Sequence, residues 1–173
     1  KDDFWGDGVS TEGSAWNDIT VPSCLEMNGY GLPMYVNVDY PFEDQQPYVR
    51  MKTGLKNSVG SYRRDFTLPV GWENKRVFLH FDGIYSAAYV YVNGNEVGYT
   101  EGANNVSEFD ITKYLRTGKN NVAVQVIRWS DGSYLEGQDM WHMSGIHRDV
   151  YLVATPKTYL ADHYIKSTVT PVL

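Results

Sequence analysis

The stretch R-W-S-D-G-S-Y-L-E-G-Q-D-M-W, residues 128–141, holds three acids, two tryptophans, a tyrosine and a glutamine. Carboxylates and amides bond hydroxyl groups, while aromatic faces cover the apolar side of a sugar ring, so this composition suits a carbohydrate contact. It suits a solvated acidic loop as well. Asp131, Glu136 and Asp139 are also candidates for a hydrolytic pair. Glycoside hydrolysis needs two carboxyls roughly 5–5.5 Å apart for retention or roughly 6.5–9.5 Å for inversion, and spacing along a loop fixes neither distance. A second cluster, G-Y-G-L-P-M-Y-V-N-V-D-Y-P-F at residues 29–42, contains Asn37. Its amide offers a donor and an acceptor to a sugar hydroxyl, or closes an Asx turn before Tyr40-Pro41.

Other chemistries find little support. A lone aspartate with hydroxyl or carbonyl partners suits a hard cation. His80, His142, His147 and His163 lack the spacing of a zinc helix and read as loop and strand histidines. There is no G-x-S-x-G elbow and no phosphate-binding glycine loop. Cys24 is the single cysteine, which excludes an internal disulfide or a C-x-x-C zinc site and leaves a small packed side chain.

The elements that must position these clusters are strands. The chain has 173 residues, 42% hydrophobic and 21% charged, enough for one soluble domain with its own core. Its 14 Tyr, 6 Phe and 5 Trp argue against disorder. A formal charge of −6 makes it a poor partner for nucleic acid or an anionic membrane. No run approaches the roughly 18 apolar residues of a bilayer span. The opening K-D-D-F-W has no basic-then-apolar leader, as expected of a mature product or a piece of a longer chain.

The first 60 residues are broken by Gly, Pro, Asn and Asp, yet carry Trp5, Trp16, Tyr30, Tyr35, Tyr40, Phe42 and Tyr48. We read them as an irregular segment pinned to a scaffold by its aromatics. From Gly60 a period of two sets in. Strands are expected at Tyr62–Leu68, Val77–Phe81 and Ala88–Val92, the last turning at Asn93-Gly94 into Val97 and Tyr99. Further strands are expected at Val122–Val126, at Ile146–Leu152 and through Tyr164–Val169. Ser107–Asp110 reads as a helix cap for Ile111–Leu115. The sum is an all-β sandwich or jelly roll.

Taken together, G-Y-x-x-P-x-Y-x-N-V-x-Y-P-F and R-W-S-D-G-S-Y-L-E-x-Q-D-M-W-x-M-S-G-I resemble the sugar-binding domain of glycoside hydrolase family 2, nearest to bacterial multidomain β-galactosidases. V-N-G at 92–94, S-E-F-D-I-T at 107–112 and G-I-H-R-D-V at 145–150 add to the likeness, which covers about residues 20–156. The resemblance implies a jelly-roll β-sandwich of the galactose-binding type with a long irregular N-terminal segment. It divides the chain into a sandwich domain, 1–156, and a segment 157–173 that is a linker or the first strand of a following domain.

The resemblance also implies a non-catalytic role beside a (β/α)8 barrel that carries the catalytic glutamates of a retaining enzyme. Asn37 and Val38 match family positions that contact the sugar. Asp131 matches one that contacts the galactosyl 6-hydroxyl and ligates sodium; magnesium would belong to the barrel. Glu136, Asp139 and Trp141 would support the loop. The implied partners are a β-galactoside or related oligosaccharide and the other domains of the parent, which could be an oligomer in the cytoplasm or periplasm of a bacterium. An autonomous carbohydrate-binding module, and a β-glucuronidase or β-mannosidase parent, are the alternatives. Two positions depart from the pattern: Gly137 stands where an acid is usual, and His142 where Arg is usual.

Overall fold

β-Branched and aromatic residues crowd the chain from residue 59 onward, and there it forms strands. The computed structural model describes residues 3–13 and 16–169. Its elements in chain order are β1 (Met34–Val36), β2 (Val59–Thr67), β3 (Arg76–Phe81), β4 (Ile84–Tyr85), β5 (Ala87–Val92), β6 (Asn95–Glu101), β7 (Ser107–Asp110), β8 (Lys119–Ile127), α1 (Ser133–Glu136), β9 (Met140–His142), β10 (Gly145–Ile146) and β11 (Val150–Thr155). Single 3-10 turns lie at Glu26–Asn28 and Thr112–Tyr114.

A four-stranded antiparallel sheet, β2-β8-β5-β6, faces a three-stranded one, β11-β3-β7. Val77, Leu79 and Phe81 of one meet Val90, Val92, Val124 and Val126 of the other in the core. Alternation puts these side chains inward, and their burial drives the two layers together. The architecture is the expected all-β sandwich of jelly-roll type. At the β5–β6 turn Asn93 (φ 50°) and Gly94 (φ 79°) both take the positive φ that the expected tight hairpin requires. A bulge at Val90/Tyr91 then turns Gly98 toward the second sheet, where a Cβ would come within 2.9 Å of the Phe109 ring. Tyr99 lies against Tyr89, ring centroids 4.9 Å apart and planes tilted by 50°.

Three expectations are corrected. The strand expected over Ile146–Leu152 is two strands, because the chain bends at His147–Asp149 so that β10 pairs with β4 and β11 with β3. Ser107–Asp110 is β7, not a cap. Asp110 alone does the capping, its Oδ1 accepting from the Thr112 N–H at 3.0 Å, and the turn ends in extended backbone at Leu115. Tyr164–Val169 forms no strand: Tyr164 and Val169 are about nine-tenths exposed, and nothing described pairs with them. The end of the 157–173 segment lies outside the described residues.

The N-terminal segment is pinned by aromatics. Phe4 is buried, and Trp5 stacks on Tyr91 with ring centroids 5.0 Å apart. Arg63 donates to the carbonyls of Phe4 and Gly6, and Arg116 forms a two-pronged pair with Asp7.

A buried clasp holds residues 25–32 to the far end of the sandwich. Glu26 accepts from the Ser144 N–H at 2.7 Å and its hydroxyl at 2.8 Å. Arg128 Nε lies 3.4 Å from Glu26 Oε1, a Coulombic contact beyond hydrogen-bond geometry. The same guanidinium donates to the carbonyls of Leu32 (2.8 Å) and His142 (3.1 Å). The His142 ring is buried beside Trp129, and its Nδ1 shares a 3.1 Å hydrogen bond with the Tyr85 hydroxyl.

Removing one partner of a buried pair leaves an uncompensated charge. Arg128→Met is therefore expected to lower stability by about 3–5 kcal/mol, with part recovered in Arg128→Met/Glu26→Gln. Urea midpoints check this, and a single-variant loss within about 1 kcal/mol would refute it. Burial, with Arg128 adding repulsion, pushes the His142 pKa below its ordinary value, and burial does the same at His147. The unfolded chain thus binds more protons as pH falls below 6.5, so the fold loses stability in that direction. We expect a lower urea midpoint at pH 5.5 than at pH 7.5, and a smaller difference in His142→Gln.

Candidate functional site

The two sequence clusters meet in a two-stranded ribbon. β1 pairs antiparallel with β9, Met34 opposite His142, Tyr35 opposite Trp141 and Val36 opposite Met140. Alternation gives the ribbon two faces. Met34 packs onto the aromatic cluster of Phe42, Trp129 and Tyr134, and His142 is buried. Tyr35 and Trp141 point outward, 52% and 59% exposed, with ring centroids 5.8 Å apart and planes at 60°.

Asn37 and Val38 lie in the bend that follows β1, both exposed. The Asn37 side chain makes no hydrogen bond among the described residues, so it closes no Asx turn and its donor and acceptor face outward. Asp131 is exposed at the start of the turn leading into α1, and only its backbone carbonyl is engaged, by the Tyr134 N–H at 3.1 Å.

Residues 128–141 are thus not a plain loop. Ser133 Oγ accepts from the Ser130 N–H at 3.1 Å, the single turn of α1 follows, and Gly137 closes it on the Ser133 carbonyl at 3.2 Å. Tyr134 is buried against Phe42 and Tyr40. Its hydroxyl lies 2.7 Å from the Glu43 carbonyl and 2.9 Å from that of Tyr48. These contacts fasten the Asp131 turn to the segment after Asn37.

The remaining acids turn to different partners. The Glu136 carboxylate accepts from the Ala103 N–H at 3.2 Å, tying α1 to the turn after β6. Asp139 accepts a short hydrogen bond from the Tyr35 hydroxyl, which raises the Tyr35 pKa and keeps the phenol protonated. The two unusual positions touch each other. A Cβ on Gly137 would lie 2.7 Å from the Ser133 carbonyl and 3.0 Å from the His142 ring, so glycine at 137 leaves the space His142 fills.

Sequence reasoning missed Glu26, Tyr35, Glu101 and the role of Arg128. The Tyr99 hydroxyl donates to Glu101 Oε2 at 3.0 Å, and a Cβ on Gly132 would lie 3.6 Å from that oxygen. Burial, the Glu101 bond and nearby Asp131 hold the Tyr99 phenol well above its ordinary pKa. No sequence motif marks Glu101, because the bulge that sets its strand is a tertiary feature. Glu26 could have been flagged as an acid between Leu25 and Met27. No cluster of three metal-ligating side chains exists among the described residues. Clefts of about 560 and 440 Å³ run along β2 and residues 16–19; the larger also borders Leu25, Tyr30 and Gly31, and the smaller is lined by core side chains such as Phe81 and Val124.

Known proteins resemble this chain in sequence and in fold. A family profile described as glycosyl hydrolases family 2, sugar binding domain, matches residues 2–156. A β-galactosidase of Priestia megaterium is 45% identical over 157 residues, covering 88% of this chain and 15% of its own length. One of Psychromonas ingrahamii is 46% identical over 154 residues, covering 89% and 14%. The chain therefore spans about one-seventh of the relatives it matches. Among solved structures, a β-glucuronidase of Bacteroides uniformis superposes with a TM-score of 0.67 at 28% identity, over 88% of this chain and 16% of that one. With its sandwich, its ribbon and both clusters inside the matched span, the chain belongs to the sugar-binding domain family of the family 2 glycosyl hydrolases.

Proposed function

We propose that this chain is a non-catalytic domain of a β-galactosidase-like retaining glycoside hydrolase, lending substrate contacts to an active site completed by other domains of the parent. Asn37, Val38 and Asp131 are the contacts. The observation that carries the reading is their shared setting: an exposed, unengaged amide and an exposed, unengaged carboxylate on segments joined by the ribbon and by Tyr134. Neither does covalent chemistry. They fix the orientation of a bound sugar, which holds reacting atoms near attack geometry.

Charge separates a galactoside from a glucuronide. Residues 29–42 and 129–141 contain no Lys or Arg, and they carry Asp39, Asp131, Glu136 and Asp139. A uronic acid carboxylate would meet repulsion here, whereas neutral hydroxyls find acceptors. The roughly 45% identity to β-galactosidases, against 28% to the β-glucuronidase, supports the same choice.

Asp131 also fits sodium, a hard cation that prefers oxygen donors. This chain offers it one free carboxylate, so most of the ligands would come from elsewhere in the parent. Sodium there would supply a fixed positive charge near the sugar.

The isolated 173-residue chain is expected to show no turnover of a chromogenic β-galactoside; measurable turnover lost in Asp131→Ala would overturn the half-site reading. In the full-length parent, Asp131→Ala should lower kcat/KM on the order of 100-fold and abolish sodium activation. Near-normal kcat/KM in that variant would remove Asp131 from the site. Calorimetry of the isolated chain with galactose and lactose tests the binding-module alternative, which millimolar or tighter binding would favour.

A further inference from the structure

We propose that Tyr134 is a positioning residue: together with the Tyr40 hydroxyl it forms one link that sets the spacing between Asn37 and Asp131. The proposal rests on the reading of those two residues as sugar contacts.

The link starts close to both groups along the chain. Asn37 precedes Tyr40 by three residues, and Asp131 precedes Tyr134 by three. The Tyr40 hydroxyl donates to the Tyr134 carbonyl at 2.8 Å, and the Tyr134 N–H donates to the Asp131 carbonyl at 3.1 Å. The two tyrosine rings meet edge-on, with centroids 5.0 Å apart. One residue thus holds both segments beside the groups they expose.

The Tyr134 hydroxyl adds a further hold. It lies 2.7 Å from the Glu43 carbonyl and 2.9 Å from the Tyr48 carbonyl, and it accepts from the Gln45 N–H at 3.2 Å. With a single proton it donates to one of those carbonyls at a time. Packing alone does not call for this hydroxyl. The ring is buried against Phe42, centroids 4.7 Å apart, and phenylalanine would fill the same volume. A buried hydroxyl is costly unless it is bonded, so what distinguishes tyrosine here is the set of bonds it makes.

The side chains of Asn37 and Asp131 make no hydrogen bond among the described residues, so the backbone beneath them sets where they stand. The ribbon holds Asn37 from the side of Val36, and Tyr40 holds it from the other. Glu136 ties α1 to Ala103, in the turn after β6. The tie from the Asp131 turn to the Asn37 segment runs through Tyr134.

The test is a double-mutant cycle in the full-length parent, read as kcat/KM on a chromogenic β-galactoside. Tyr134→Phe is expected to lower kcat/KM about 5- to 10-fold, because a small misplacement of a substrate contact is enough to slow the reaction. In an Asp131→Ala background the same substitution is expected to cost less than about 2-fold, since the contact it positions is gone. Tyr40→Phe removes the bond to the Tyr134 carbonyl and keeps the Tyr134 hydroxyl. It should show the same pattern more weakly, and it carries the cycle if Tyr134→Phe does not accumulate. Equal losses with and without Asp131 overturn the proposal, because a general loosening of the fold acts in both backgrounds alike. Unchanged kcat/KM in the single variants overturns it too. Failure of the parent reading looks different: Asp131→Ala alone would then keep full activity, and the link would fall with it.

Discussion

A carboxylate and a guanidinium almost wholly removed from water, 3.4 Å apart, tie three separate pieces of chain into one wall. Glu26 brings the segment after Val21, Arg128 brings the end of β8, and Ser144 brings the approach to β10. Two buried charges are costly unless their remaining hydrogen-bonding capacity is met. Most of it is met here: by the Ser144 N–H and hydroxyl on one side and by the Leu32 and His142 carbonyls on the other, with Arg128 Nε facing Glu26 through charge alone. Those carbonyls bracket the ribbon, one shortly before β1 and the other at the end of β9. A shift of either strand would strand a charge, so the pair sets the place of the ribbon on the sandwich. Tyr35, Asn37 and Trp141 inherit that placement.

The sandwich and the functional face divide the physical tasks between them. Strands β3, β5 and β8 bury valines and phenylalanines and carry the fold. Their outer ends and connections carry the polar side chains that face outward. The aromatic excess serves both: Phe42, Trp129 and Tyr134 form a satellite core beneath the loops, while Tyr35 and Trp141 stay exposed above it. Loops of this length fluctuate unless their own side chains pack. A buried tyrosine whose hydroxyl lies within hydrogen-bond reach of two backbone carbonyls turns the Asp131 loop into a rigid element.

Much of this was legible in the sequence where period and turn chemistry speak locally. Alternation located Val77–Phe81, Ala88–Val92 and Val122–Val126, and Asn93-Gly94 located the hairpin. Both polar clusters stood out by composition. What stayed hidden is tertiary. Nothing local distinguishes Ser107–Asp110 as a strand from a helix cap, because the deciding partner is β3, some thirty residues earlier. The break after Ile146 depends on β10 choosing β4 while β11 chooses β3. The pairing of β1 with β9 joins residues more than a hundred apart, and no spacing rule reports it. The expected strand at Tyr164–Val169 alternates well enough, but alternation makes a strand only where an edge accepts it.

The position of the charges accounts for the proposed half-site, in which the domain contributes contacts without completing them. Acids engaged by the fold, Glu26 through Ser144 and Glu136 through Ala103, are satisfied by backbone N–H groups and unavailable to a ligand. Asp131 is exposed and unengaged, and Asn37 likewise. An exposed carboxylate in water gains little from a neutral hydroxyl, since water competes on equal terms. Its interaction strengthens once a second surface closes over it and excludes that water. A lone face carrying unengaged polar groups beside exposed aromatic rings is therefore weak as a receptor and strong as one wall of a cavity, and the ribbon held by Glu26 and Arg128 has the rigidity that a wall requires.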